Sequence, residues 1–374
     1  MITGTSKTAA ILAVVAIALM TIATVPATNA DTPQPFAITD STGTVSEYSE
    51  PSENIIVTGY AATLTLIDAG SASRIYATDQ YGRDAFEDKG LEAPRTFTFT
   101  FGDNSMLKSD IIGSVDDGFD KDRDTVFLTT YSTQFIGSDG KSGLRAELLD
   151  AGFAHVLFYG SVYEYEDIVG IVRDLESISG SDAGLTEDME DALEYVSRAV
   201  SGLERTDALF LRYSGSKGWG IGVSGSIGGM LIKEAGGNDL GAGTGALSTL
   251  YNQTKIIEIL DSHPDAVVFL DSPYFDTYGG TFESFVVDVL HGSQGDLKLV
   301  KMLKTWNNYD PESAEGLVEI AHILHPEAVD GSYEVFGGSG GNASGDGTMA
   351  VGIAAAVIVI ALAAFLVIRS RKSA

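Results

Sequence analysis

Short apolar runs, bounded by glycine and polar residues, recur through the middle of this chain: Ile55-Ile56-Val57, Arg74-Ile75-Tyr76-Ala77, Thr125-Val126-Phe127-Leu128 and His155-Val156-Leu157-Phe158. Helix-length segments separate them. Runs this short and without alternation suit the strands of a parallel sheet buried on both faces. A second set follows at Ala208-Leu209-Phe210-Leu211, Ala266-Val267-Val268-Phe269-Leu270 and Leu297 to Leu303, so the pattern predicts α/β architecture in both halves.

Thr96 to Phe101 breaks the rule: Thr and Phe alternate, which puts Phe97, Phe99 and Phe101 on one face of a half-buried strand at an edge or rim. Thr186 to Leu203 carries the clearest helical period. Thr186 is placed to cap it, Glu187 and Asp188 suit the positive end of its dipole, and Met189, Leu193, Val196, Val200 and Leu203 form one stripe. Asp310-Pro311-Glu312 predicts a last helix with Asp as N-cap and Pro in its first position, burying Leu317, Ile320, Ala321 and Leu324.

The ends differ from the middle. Met349 to Ile368 is an uncharged apolar run, long enough at about 1.5 Å per residue to cross a hydrocarbon core of about 30 Å. Arg369, Arg371 and Lys372 follow it, and basic residues beside a span stay cytoplasmic, so the preceding chain is expected outside the cell. At the other end, Lys7 precedes an apolar stretch from Ala9 to Met20 and then small residues through Ala30, which reads as a secretory signal cleaved near Ala30 or, alternatively, as an uncleaved anchor.

Between these ends lie about 320 residues, more than one hydrophobic core usually holds, so two lobes are expected. All 52 acidic residues fall there, while four of the 23 basic ones (Lys7, Arg369, Arg371 and Lys372) lie outside it. An exterior this acidic repels nucleic acid and anionic lipid, and it favours solubility in salt. The sequence contains no cysteine, which excludes disulfides, thiolate catalysis, iron–sulfur ligation and a lipid-modified cysteine as anchor. A signal, a C-terminal span and an acidic exterior together suit an archaeal cell better than a bacterial one. Asn252-Gln253-Thr254 and Asn342-Ala343-Ser344 are acceptor sites for external glycosylation.

The ordered segments resemble the substrate-binding proteins of ABC importers for iron–siderophores, haem and cobalamin. Asn54 to Tyr60, the small-residue helix Ala61 to Gly70 and Arg74 to Asp79 resemble the opening strand, helix and strand of that family's first lobe. Ser226 to Asn238, Ile256 to Val268, Trp306-Asn307-Asn308 and Ala321 to Glu327 resemble its second lobe. The likeness covers roughly Ser52 to Glu327 and departs at Asp103 to Asp124, where an acidic stretch stands. It implies two Rossmann-like lobes with parallel sheets joined by a single long α-helix, with the ligand in the cleft between them. The expected organisation is then a signal peptide (1–30), a polar leader (31–51), a first lobe (52–185), an interlobe helix (186–204), a second lobe (205–335), a Gly-rich stalk (336–348), a transmembrane helix (349–368) and a cytoplasmic tail (369–374).

Open α/β lobes bind ligands at the carboxyl ends of their strands, so the loops there supply the candidates. These are Tyr60, Asp79, Tyr81, Arg83, Tyr131, Tyr159 and Tyr163 in the first lobe, and Arg212, Tyr213, Lys217, Trp219, Tyr274, Trp306 and Asn307 in the second. Tyr and Trp offer flat faces with a polar tip, and Arg or Lys neutralises an anionic chelate, which suits a large metal complex; ordinary loop packing is the competing reading. The resemblance also implies a rim carboxylate on each lobe that docks the permease, here Asp110 and Glu258.

Other motifs are weaker. His322 and His325 stand three apart on a helix, but no Cys or His-x-Glu cluster completes a metal shell. Asp116 to Asp124 has calcium-like acidic spacing without the required Gly and Glu, and reads as a solvated loop. Gly218-x-Gly220-x-Gly222 lacks the Lys and Ser/Thr of a phosphate cradle and reads as a flexible cleft loop. The expectation is therefore a monomeric, non-enzymatic receptor with no covalent cofactor. It would deliver a ferric siderophore, haem or corrinoid to an ABC permease and ATPase while held on the membrane by its C-terminal helix. An adhesion or envelope protein built on the same fold is the alternative, and an enzyme such as a chelatase is disfavoured by the missing His/Glu cluster.

Overall fold

The computed structural model describes residues 34–129, 134–138, 142–160, 162–223, 225–244, 249–292 and 295–336. The expected signal, the stalk beyond residue 336, the transmembrane helix and Tyr131 lie outside these. All described residues belong to one compact unit ending at Gly338.

The chain opens with a hairpin, β1 (Phe36–Thr39) and β2 (Val45–Tyr48), paired antiparallel. This corrects the expected polar leader. Ile38 and Tyr48 are buried, Phe36 stacks on Tyr48, and Tyr48 stacks on His155 at 4.3 Å, so this stretch completes the first lobe. Its alternation is short and mixed with Ser, Glu and Thr, which hides the inward face from a hydropathy reading.

The first sheet has the order β5-β4-β3-β6-β7 and is parallel throughout. Its strands are β3 (Ile55–Val57), β4 (Ile75–Asp79), β5 (Arg95–Phe97), β6 (Thr125–Thr129) and β7 (His155–Tyr159). Helices α1 (Tyr60–Asp68), α2 (Gln80–Asp88), α3 (Ser105–Gly113) and α4 (Leu144–Asp150) alternate with them. The edge position of β5 matches the Thr/Phe alternation. The strand nevertheless stops at Phe97; Phe99 stays buried and Phe101 is 66% exposed. In the acidic stretch before β6, Asp116 and Asp117 are exposed, but Phe119 and Asp124 are buried, and Asp124 accepts bonds from the backbone and side-chain nitrogens of Asn54.

Two helices, α5 (Tyr165–Ser179) and α6 (Leu185–Val200), lead to the second sheet. Here the expected single connector at 186–204 is corrected. Among the described residues α5 alone of the two packs into both cores, with Ile168, Val169 and Val172 against the second lobe and Ile171, Leu175 and Ile178 against the first. The buried residues of α6, Leu185, Met189, Ala192 and Val196, all pack with the second lobe. Thr186 does not cap α6. Glu176 of α5 caps it instead, accepting from the Leu185 and Thr186 amides and the Thr186 hydroxyl. Gly184 turns the chain at φ 77°, and Leu203 lies past the helix, partly exposed.

The second sheet has the order β10-β8-β11-β12, with β9 added antiparallel on β8. Its strands are β8 (Thr206–Ser214), β9 (Gly218–Ile221), β10 (Gly237–Asp239), β11 (Val267–Asp271) and β12 (Lys298–Met302). Helices α7 (Ile227–Glu234), α8 (Gln253–Ser262), α9 (Ser272–Asp276), α10 (Phe282–Asp288) and α11 (Ser313–Leu324) complete it. The Gly-rich segment is thus a strand, not a flexible loop. A Cβ on Gly222 would come 2.4 Å from Phe210 Cδ1 and one on Gly228 2.4 Å from Phe210 Cγ, so glycine is required for backbone to approach that ring. Helix α11 begins at Ser313, three residues after Asp310, which sits in the preceding turn, fully buried.

Candidate functional site

The carboxyl ends of the two sheets meet. Tyr60 starts the helix after β3 and Lys304 lies two residues beyond β12; the Lys304 ammonium stands 4.5 Å from the centre of the Tyr60 ring. The Tyr60 hydroxyl donates to Asp88 Oδ2 at 2.7 Å, and Lys304 Nζ lies 2.7 Å from the same oxygen. Those two bonds hold the Asp88 carboxyl below its ordinary range, while burial and the Asp88 charge push the Tyr60 phenol up.

Asp79 closes the loop beneath Tyr60. Its Oδ1 accepts from the amides of Gly59, Tyr81 and Gly82 at 2.9 to 3.1 Å, so it caps α2 and ties the β3 loop to β4. The residue is 3% exposed, and burial raises its pKa despite these donors. Its carboxylate therefore serves the fold. Tyr81 begins the rim, its ring 6.4 Å from that of Phe101, which in turn meets Phe99 edge-on at 5.0 Å. Arg83 is bound to its own helix through Asp84 and Glu87.

On the far side of the first sheet, Tyr159 stacks on Phe127 at 4.8 Å and donates to Asp174 of α5, which leaves it half-buried in the core. Tyr163 is 72% exposed and borders a different hollow of about 310 Å³, with Arg205, Lys233 and Asn238. The two are not brought together with Tyr60.

In the second lobe, Arg212, Asp271 and Asn307 converge from the ends of β8, β11 and the loop after β12. Asp271 is 4% exposed; it accepts from Asn307 Nδ2 at 3.2 Å and from the backbone of Tyr213 and Ser272. Burial raises its pKa, and the positive charge of Arg212 opposes that rise. Arg212 itself is exposed, and Asn307 Oδ1 is a buried acceptor without a partner. The three supply a charged donor, an acidic acceptor and an unsatisfied carbonyl at the carboxyl end of the second sheet.

Beside them lies an aromatic group. Tyr213 meets Trp219, Tyr274 and Tyr278 edge-on at centroid distances of 5.0, 4.9 and 5.1 Å. Trp219 and Tyr274 are 8% and 6% exposed and pack with Phe285 and Ile221, so they support the wall from behind, whereas Tyr278, 54% exposed, is its open face. Lys217 is exposed on the β8–β9 turn, 5.1 Å over the Tyr251 ring. Trp306 is half-buried against Gly316, where a Cβ would approach its own at 2.5 Å.

Lys304, Asp88, Asp271, Phe101 and Tyr278 were missed by sequence reasoning. Asp271 and Lys304 follow their strands as closely as the chosen candidates do, and strand-end position alone could have found them. Asp88 lies at the opposite end of α2 and carried no such signal. Of the proposed docking carboxylates, Asp110 is half-buried on α3, and Glu258 is exposed on α8, 3.2 Å from Lys255. His322 and His325 bond the carbonyls of Val329 and Gly236, at 2.8 and 3.1 Å. Among the described residues no group of three or more His, Cys, Asp or Glu is placed to hold a metal ion, and no helix is long and apolar enough to cross a membrane.

No family model matches the chain, and no curated protein is similar to it in sequence. Solved structures are similar in fold. Helicobacter pylori CeuE in a nickel–histidine complex superposes with a TM-score of 0.54 at 13% identity, covering 79% of this chain and 90% of that one. The periplasmic haem-binding protein HutB of Vibrio cholerae gives 0.53 at 15% identity, covering 74% of this chain and 100% of that one. RhuT, a periplasmic haem-binding protein from Roseiflexus, gives 0.50 at 14%, with coverages of 74% and 99%. The chain therefore has the two-sheet α/β fold seen in these periplasmic binding proteins.

Proposed function

We propose that this protein is a non-enzymatic substrate-binding protein that captures a metal chelate in the cleft between its lobes and delivers it to an ABC importer. The observation that carries this reading is the meeting of the two sheets at their carboxyl ends, where Tyr60 and Asp88 of the first lobe meet Lys304 of the second; Arg212, Asp271, Asn307 and Tyr278 are the residues we assign to the second lobe's side of the cleft. The fold likeness to haem- and nickel–histidine-binding proteins supports it. Exposed Arg212 and Lys217 stand out on a chain of formal charge −29 and favour an anionic ligand, such as a ferric siderophore or haem, over a neutral corrinoid. The apolar run Met349 to Ile368 would hold the receptor on the outer face of the cell membrane near its permease, in place of the lipidated cysteine the chain lacks. Asp110 and Glu258 remain the proposed contacts with that permease.

The test is calorimetric titration of the full chain with haemin, a ferric tris-catecholate siderophore and cyanocobalamin. Saturable heat with either anionic chelate is expected. Heat with none of the three would overturn the reading, and heat with cyanocobalamin alone would overturn the charge argument.

A further inference from the structure

The contact between the lobes at Tyr60 is part of a reciprocal charge arrangement. Asp88 and Lys89, adjacent at the end of α2, carry opposite charges, and each meets its opposite on the loop between β12 and α11 of the other lobe. Asp88 pairs with Lys304 at 2.7 Å, and Lys89 pairs with Glu312 at 3.1 Å while also holding Asp68 of its own lobe at 2.8 Å. The two pairs run in opposite senses, minus to plus and plus to minus, so shifting the lobes past one another brings like charges together. One helix end and one loop thus make a two-point contact.

Both points are partly open to water. The Lys304 and Asp88 side chains are 62% and 49% exposed, and Lys89 and Glu312 are 33% and 24% exposed. Pairs of this kind are weak and screened by salt. By contrast, the apolar packing of α5 into both cores lies deep and insensitive to ions. The charge pairs are therefore the contact that can release without unfolding the connector. They also control access, because Lys304 covers the Tyr60 ring and its removal bares that ring.

We propose that Asp88–Lys304 and Lys89–Glu312 form a salt-sensitive latch between the lobes, which covers Tyr60 when shut and exposes it when released. The latch is a property of the chain alone and holds whichever ligand the cleft takes.

The chain has no cysteine, so spin labels can be placed at will on Glu92→Cys and Glu283→Cys, one exposed site in each lobe, and the interlobe distance read by pulsed electron resonance. In about 20 mM salt a single narrow distance is expected, as the ions are then poorly screened. In molar salt, and in Lys89→Ala/Lys304→Ala at low salt, the distribution should lengthen and broaden by several Å. The exchange Asp88→Lys/Lys304→Asp should restore the narrow distance at low salt. Should the double alanine variant fail to fold, the salt series on the labelled chain decides alone. Superimposable distributions at low and high salt would overturn the latch.

Discussion

Arg145 Nε lies 3.0 Å from Asp40 Oδ2, joining helix α4 to the turn of the N-terminal hairpin with both side chains almost wholly out of water. Asp40 also accepts from the amides of Phe158, Thr42 and Thr44, so its carboxylate is the point at which hairpin, sheet and helix are tied together. Removing one partner of such a buried pair leaves the other charge uncompensated, at a cost of about 3–5 kcal/mol. Asp40→Ala is therefore expected to lower the urea midpoint by that equivalent with little change in slope. A loss below about 1 kcal/mol would show that the hairpin is dispensable to the fold.

Gly222 is expected to tolerate no side chain. A Cβ there would sit 2.4 Å from the Phe210 ring, and overpacking of this kind costs about 1–3 kcal/mol. Gly222→Ala should reduce the melting temperature by several degrees, and adding Phe210→Leu should recover part of the loss. Full stability in Gly222→Ala would contradict the close approach of the backbone just after β9 to Phe210 of β8.

Asp310 gives a pH dependence with a defined sign. It is fully buried with Oδ2 unpartnered, and burial, followed by the charges of Glu312 and Asp68, raises its pKa well above the ordinary value; Lys89 opposes this, and Tyr60 and Tyr165 lie within its field. A carboxyl raised in the folded state contributes stability that is complete below its unfolded value of about 3.9 and is lost as pH rises through its folded value. Asp310→Asn should consequently stabilise the protein at pH 7.5 and leave it nearly unchanged at pH 4. Thermal melts at the two pH values check this, and equal shifts at both would refute it.

The tryptophans are expected to report differently on binding. Trp219 is locked among Tyr213, Tyr274 and Phe285, whereas Trp306 is half-buried on the loop that also carries Lys304 and Asn307. Haemin quenching should fall strongly in Trp306→Phe and persist in Trp219→Phe. The reverse result would move the ligand away from the β12 loop.

Arg212, exposed near the end of β8, is the donor proposed to meet an anionic ligand. Arg212→Glu should weaken haemin or ferric siderophore binding at least tenfold, about 1.4 kcal/mol or more, without shifting the melting temperature by more than a degree or two. Unchanged affinity would remove Arg212 from the site.

Much of the architecture was legible in the chain. Buried parallel strands read as short unbroken apolar runs because both faces are covered, and β3, β6, β7, β8, β11 and β12 all appear where such runs stand. What escaped were elements whose signal is shared with a partner. The hairpin β1–β2 buries only every second residue of two four-residue strands, and β9 is written partly in glycine, where a Cβ on Gly220 would come 2.5 Å from Thr249 Cγ2 and 2.9 Å from Tyr251 Cδ1, residues about thirty positions away. The capping of α6 was misassigned to Thr186 because the residue that does it, Glu176, belongs to another helix.

The sequence by itself determined the α/β class, the strand positions, the charge and absence of cysteine that exclude whole chemistries, and the loops from which a site could be drawn. Only the tertiary structure decided which loop residues meet. Strand-end position places a side chain near the cleft but does not fix its direction, so Asp79, Trp219 and Tyr274 turn inward to support the fold, while Lys304 and Tyr278 supply surface that periodicity could not reveal. The pairing of Asp88 with Lys304 joins residues 216 positions apart, and such a contact exists only once the two independently written lobes are brought together.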